Sequence, residues 1–287
     1  MIAIYKKELR SYFTHMMGYT FLAVMVLAVG IWFSLGNARG MSANFHMALA
    51  QTTIFFFILI PALTMRIFSE EARQKTDQLL FTSPLSVFQI VLGKFFAAFS
   101  LFLVASGITI IMPLMLNHHG ELPVSQIVGS YIGFILLAAC CIAVGVFISV
   151  LTDNQIIAAV ITIVTLFFMY MMDTVALLMP TTNLSSLVFV ILVVVAVIGL
   201  WFAATRNILA TVVVAVLAAG VAVGLYLFNN FIYDGIIVRS LLWLSLFDRF
   251  SNFTIGRVDT ADIVYYVSFC VMFIYFTINV IEKRRWR

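Results

Sequence analysis

Eight apolar runs, separated by short polar or charged stretches, pattern the chain: 17–36, 50–67, 91–116, 126–151, 155–179, 184–204, 208–228 and 262–281. A helix needs roughly 20 residues to cross about 30 Å of hydrocarbon, and each run meets or approaches that length. An open strand edge cannot satisfy its backbone groups in lipid, so every run is predicted to be a helix. The second run is the shortest, and Pro61 inside it predicts a kink. Lys6, Lys7 and Arg10 precede the first run as they would a signal peptide. That run is long for a signal sequence, however, and no small-residue cleavage pattern follows before Trp32 and Phe33, so it is expected to be a retained helix.

Composition agrees with the pattern. Of 287 residues, 64% are apolar and 10% charged, the mean hydropathy is +1.14 and 28 residues are Phe. A soluble domain runs nearer half apolar and a quarter charged, so disordered, collagen-like and soluble two-domain classes are excluded. What remains is an all-α polytopic membrane protein of about eight transmembrane helices, a single transmembrane domain over 1–287. The net charge of +4 is dispersed and gives no nucleic-acid footprint. Cys140, Cys141 and Cys270 all fall in apolar runs and read as buried thiols rather than a disulfide framework or a metal site.

The basic residues set direction. With eight spans both termini share one side, and every Lys and Arg except Arg39, Arg239, Arg249 and Arg257 falls on it. Positive charge collects on the cytoplasmic side, so both termini are expected there, in a multi-pass protein of the cell membrane. Removing one span would put the basic carboxyl terminus outside. Removing 184–204 and 208–228 together would preserve the topology, and only Ala204-Thr205-Arg206-Asn207 joins that pair.

Between the spans, residues 2–14 form an amphipathic stretch. Ile2, Tyr5, Leu9 and Tyr12/Phe13 recur at helical spacing, while Lys6, Lys7 and Arg10, with Glu8, occupy other faces. Such a helix lies along the inner interface near anionic headgroups. The longest inner connection, 67–90, begins as a helix by charge pairing: Glu70 with Arg73, Glu71 with Lys75, Arg73 with Asp77. Thr82-Ser83-Pro84 then breaks it, and Ser86 is placed to cap the helix entering the third span. A stiff, charged helix-break-helix between two spans suits a docking surface for a cytoplasmic partner. Outside, His118, His119 and Glu121 are loop neighbours that do not converge on one metal ion. The segment 229–261 alternates apolar residues with Asp234, Arg239, Asp248 and Arg249, the pattern of short amphipathic helices on the outer leaflet.

Two features lie at membrane depth. Asp173 is the acidic residue inside a predicted span, near its outer end, and is a candidate polar site for substrate or proton. Gly129-x3-Gly133 and Gly220-x3-Gly224 match the small-residue pattern of close helix packing, read here as packing within the chain.

Several stretches together resemble the permeases of type-2 ABC exporters, most closely the gliding-motility-associated branch. They are the opening IYKKELRSYF, the run LTMRIFSEEARQKTDQLLFTSPLS followed by IVLGK, the turn LTDNQ at 151–155, and the closing FDRFSNFTIGRVDTADIVYY…EKRRWR. The resemblance covers nearly the whole chain in order, and the Ser69–Lys94 block is its most specific part. It implies a six-span permease core, with 184–228 an inserted helix pair, and a glycine in many relatives where Lys75 stands. It also implies a second permease copy or paralogue and two cytoplasmic ATPase subunits that carry the ATP and Mg; this chain would bind no cofactor and have no catalytic residue or metal. The chain holds no GxxxxGK[ST] phosphate loop. Under the resemblance, 2–14 is the connecting helix. Ser69, Glu70, Glu71, Arg73, Asp77, Thr82, Ser83 and Pro84 form the coupling element that ATPase closure would push.

An intramembrane protease would need facing aspartates, Ser/His or HExxH at depth, and the spans offer none of these sets. A secondary transporter remains the alternative, together with a non-transporting membrane scaffold. The short outer segment is compatible with a separate accessory subunit on the outer surface. The cargo is not written in the sequence.

Overall fold

Helix formation follows the apolar pattern because the peptide groups of each run find partners only within their own segment. The computed structural model describes residues 1–14, 16–38, 44–76, 85–116, 123–205 and 234–285. In chain order the helices are α1 (Ile2–Thr14), α2 (Met16–Trp32, continued by a π-helical turn, Phe33–Ala38), α3 (Phe45–Thr52), α4 (Phe56–Thr64) and α5 (Ser69–Gln74). They continue with α6 (Val87–Thr109), α7 (Ile111–Leu116), α8 (Val124–Leu151), α9 (Gln155–Leu178), α10 (Asn183–Thr205), α11 (Ile236–Leu244), α12 (Leu246–Thr254) and α13 (Thr260–Arg285). No strand occurs among the described residues.

Six helical stretches among the described residues are long and apolar enough to cross a membrane: Met16–Asn37, Phe45–Gln74, Val87–Leu116, Val124–Leu151, Gln155–Leu178 and Thr260–Arg285. The expected run 184–204 falls on α10, and 208–228 lies outside the described residues. The second span corrects an expectation. Rather than the shortest, it is a 30-residue stretch that starts at Phe45 and reaches Gln74. Helix α4 runs through Pro61, whose carbonyl accepts the Met65 N–H at 2.8 Å. The irregular turns flank the proline, at Thr53–Phe55 and 65–68. Pro113 does interrupt the third span: it supplies no N–H to Thr109, and α6 gives way to α7 at Ile110.

The chain divides into two units, residues 1–169 with 246–287, and residues 170–245. In the second unit α10 packs against α11. In the first, α8 is the central element, packed by α13, α12, α4, α6 and α3. Lipid tails are as apolar as the side chains, so close contact rather than water exclusion drives this association. Small residues on α8 supply that contact. A Cβ on Gly133 would lie 2.6 Å from Phe253 Cβ, and one on Gly129 2.8 Å from the Phe253 carbonyl, so this glycine pair packs within the chain. Phe56, Phe102 and Phe134, all buried, form a ring cluster with centroids 5.0–5.7 Å apart between α4, α6 and α8.

The 229–261 segment contains the short amphipathic helices α11 and α12, but α12 does not rest its apolar face on lipid. Leu246, Phe247, Phe250 and Phe253 are buried in the protein. At the same end Arg249 meets Asp262 at 2.6 Å and lies 4.1 Å over the Tyr265 ring. Asn252 donates to the second Asp262 oxygen at 3.0 Å. The buried Tyr266 hydroxyl donates to the Leu246 carbonyl at 2.6 Å. Cys140 and Cys270 are free thiols, their sulfurs 3.4 Å apart.

Candidate functional site

At the opposite end of α8, α1, the 65–68 turn and α5 converge on one buried amine of α6. Ser86 caps α6, its Oγ accepting the Gln89 N–H at 3.3 Å, as its sequence position predicts. Lys94 lies two turns along the same helix and is 1% exposed. An isolated ammonium at this depth would carry a large desolvation cost, which only close acceptors offset. Its Nζ lies 2.8 Å from Glu71 Oε2 on α5 and 3.4 Å from Glu8 Oε1 on α1. It also donates to the Ile67 carbonyl at 2.5 Å and stands 4.7 Å above the Phe68 ring. Lys7 supplies a second cation 3.9 Å from Glu71, which balances the two carboxylates.

The α5 helix is held from its other side by α8. Ser149 Oγ accepts the Phe68 N–H at 3.1 Å and the Ser69 N–H at 3.3 Å, amides that the helix start leaves without intrahelical partners. Ser69 is fully buried, and its hydroxyl donates to the Met65 carbonyl. The helix therefore cannot rotate about its own axis without breaking contacts to α1, α6 or α8.

Its end is equally defined. Lys75 has φ 56° and ψ 21°, in the left-handed region. Its N–H reaches the Ala72 carbonyl at 3.1 Å, and the Thr76 N–H reaches the Glu71 carbonyl at 3.0 Å. This is the Schellman arrangement, whose left-handed position favours glycine. Because α5 ends at Gln74 with Lys75 left-handed, the expectation of a longer charge-paired helix is corrected. Glu71 pairs with Lys94 and Lys7 rather than with the exposed Lys75, while Glu70 accepts from Gln74 Nε2 at 3.4 Å. Lys75→Gly is expected to stabilise the fold by about 1 kcal/mol, the usual strain of a non-glycine residue in this region. Thermal unfolding in detergent measures it as a raised midpoint.

Helix α1 docks on α6 through Ile4, Tyr5 and Glu8, and on α4 through Tyr12, rather than through the Ile2–Tyr5–Leu9 face alone. Tyr5 donates to Ser100 Oγ at 3.0 Å, and the Tyr12 hydroxyl donates to the Leu63 carbonyl at 3.3 Å. Burial, and then the charge of Glu8, pushes the Tyr12 phenol well above its ordinary range, so it stays protonated and donating at neutral pH. Ile2 is exposed, as are Lys6, Lys7 and Arg10. Gly18 permits the tight return into α2, since a Cβ there would lie 2.5 Å from the Tyr12 carbonyl oxygen. On the far side of α5, Arg73 borders a cleft of about 660 Å³ with the 152–157 turn, and Asp153 pairs with Arg284 at 3.5 Å. The amino-terminal helix, the α5 elbow, the 151–155 turn and the end of α13 therefore share one end of the first unit.

Of the residues expected to couple, Ser69 and Glu71 face inward as fasteners, Glu70 is half-buried and Arg73 exposed. Asp77, Thr82, Ser83 and Pro84 lie outside the described residues, as do His118, His119 and Glu121. Asp173 is half-buried on α9 in the second unit. No group of three or more His, Cys, Asp or Glu able to hold a metal occurs among the described residues. Sequence reasoning missed Lys94 and Ser149 as site residues. Lys94 carried a signal, a single cation inside an apolar run; Ser149 carried none.

Residues 31–205, more than half of the chain, match the family model described as "ABC-2 family transporter protein". No curated protein matches the chain.

Proposed function

The chain belongs to the ABC-2 transporter family, and from that premise we propose that it is the permease of an ATP-driven exporter whose α5 elbow receives the push of separate ATPases. The family consists of multi-pass transmembrane permease subunits that are not themselves the ATPase, and such subunits normally work with cytoplasmic ATPases in a membrane complex. On this reading two ATPase subunits supply ATP and Mg, and a second permease copy or paralogue completes the pore. Both termini lie in the cytoplasm of a cell-membrane protein, and an outer accessory subunit is accommodated. The gliding-motility-associated branch is the favoured placement within the family.

The observation that supports this most is the lysine-centred knot. Closure of the ATPases on ATP would displace the elbow, and a loosely tethered elbow would absorb the displacement. Here Lys94 ties α5 to α1 and α6, and Ser149 ties it to α8. Displacement is then shared by the amino-terminal helix and the third and fourth spans, and the ATP-bound state biases the equilibrium between inward- and outward-open forms. Among the described residues of the elbow, Arg73, Gln74, Lys75 and Thr76 are exposed and would meet the partner.

The test is copurification followed by function. The ATPase should come down with the permease in mild detergent, and its hydrolysis rate should rise in the complex. Gln74→Cys should crosslink to it in a nucleotide-dependent way. Arg73→Glu should lower stimulated ATPase activity about tenfold while leaving the permease folded, the size expected for losing one charge-assisted contact. Glu71→Lys is a poorer probe, because it would set a cation against buried Lys94. A permease that copurifies with no ATPase, or leaves its rate unchanged, would favour the secondary-transporter or scaffold alternatives.

A further inference from the structure

An apolar slot of about 550 Å³ opens between α2 and α4, lined by Met17, Phe21 and Val24 on one wall and Ile58, Ala62 and Leu63 on the other. Its charged end is Arg66, which is exposed and makes no ion pair among the described residues. Past Arg66 and Met17 the slot continues into a polar cleft of about 360 Å³ that includes Lys7 and Ser11. Lys7 and Ser11 also border a third cleft, with Lys6, Arg10 and Thr14 on α1. The acids along this path are largely engaged: Glu8 and Glu71 face Lys94, and Glu70 accepts from Gln74. Lys6 and Arg10, both exposed, make no ion pair among the described residues.

We propose that this slot holds an anionic phospholipid of the inner leaflet as a resident ligand, with an acyl chain between α2 and α4 and its phosphate on Arg66. The order of the surfaces is that of the molecule, an apolar chain, then a phosphate, then a headgroup against the basic strip of α1. Guanidinium binds phosphate in a fork that an ammonium cannot form. Basic pockets between membrane helices on the cytoplasmic side are suited to such headgroups. A lipid seated here would brace Leu63, whose carbonyl holds Tyr12, and so would brace α1 against the elbow. The inference rests on the proposed function only for the cytoplasmic placement of Arg66.

The experiment uses the purified permease without any ATPase, so its outcome does not depend on coupling. Phosphatidylglycerol, phosphatidylcholine and glycerol phosphate are added separately, and retained lipid is read by native mass spectrometry beside the unfolding midpoint. Wild type should retain phosphatidylglycerol and unfold at higher temperature with it, and should respond to neither other probe. Arg66→Gln and Ala62→Trp should each reduce retention about tenfold, the first by removing the fork and the second by filling the slot. Arg73→Gln, outside the slot, should retain it fully. Equal retention of phosphatidylcholine, an equal response to glycerol phosphate, or full retention by Arg66→Gln would overturn the proposal. Arg66→Cys labelled by an impermeant thiol reagent from the outer side alone would instead overturn the placement.

Discussion

Lys94→Met is expected to destabilise the protein by about 3 kcal/mol, the lower part of the range for removing one partner of a buried ion cluster. The loss exceeds that of the pair itself, because Glu8 and Glu71 stay behind with side chains only 18% and 16% exposed. The Ile67 carbonyl loses its donor as well. Two carboxylates facing each other across an empty site repel, which favours departure of α5 from α1. The triple variant Lys94→Met, Glu8→Gln, Glu71→Gln should recover most of the stability, since no buried charge is then left without a partner and Lys7, which loses Glu71, is exposed to water. It should not recover coupling, because the direction of the Glu71 contact set the angle of α5. Thermal unfolding in nanodiscs measures the first effect, and ATPase-linked transport of the complex the second. If the single variant unfolds like wild type, the amine is not the fastener described here.

Gly145→Val is expected to give the second large effect, a loss of about 3 kcal/mol with reduced membrane accumulation, the upper part of the ordinary range for overpacking. A Cβ at this position would lie 2.9 Å from Thr64 Cβ and 3.0 Å from its Cγ2, and closer still to its hydroxyl. Thr64 is fully buried at the end of α4, and its hydroxyl is committed to the Ile60 carbonyl at 2.9 Å. Neither side chain can turn away, so α4 and α8 must separate. Because α4 leads directly into the elbow, that separation also displaces Phe68 from Ser149. Thr64→Gly should restore part of the loss by clearing the same space, at the usual cost of about 1 kcal/mol for glycine within a helix. Gly107→Val is the matched control: nothing lies within 4 Å of a Cβ at exposed Gly107, so accumulation and unfolding should stay close to wild type. Equal behaviour of the two valine variants would contradict the close approach of α4 and α8.

Reading the sequence alone succeeds where the physical cause is local. Hydropathy over a span-length window locates the helices, since backbone satisfaction in lipid depends on the segment itself, and Ser86 shows its role because a cap acts across three residues. The extent of the second span escapes this reading. Its ends, Phe45–Thr52 and Ser69–Gln74, are not uniformly apolar, and both pack against α8 once the chain is folded. The α5 charges mislead for a related reason: i, i+4 spacing permits Glu71 to meet Lys75, but a desolvated Lys94 competes far better for the carboxylate than an exposed cation does.

Chain order and composition establish the helical membrane class and six segments long and apolar enough to cross a membrane, because each follows from transfer of a segment between water and lipid. Folding in three dimensions decides that α8 is the centre, that α12 turns its phenylalanines inward, and that Lys94 and Ser149 hold the elbow. In a membrane span every face is apolar, so hydropathy does not distinguish the side that meets protein from the side that meets lipid. That choice depends on shape, small residues and distant polar partners, which exist only once the helices are side by side.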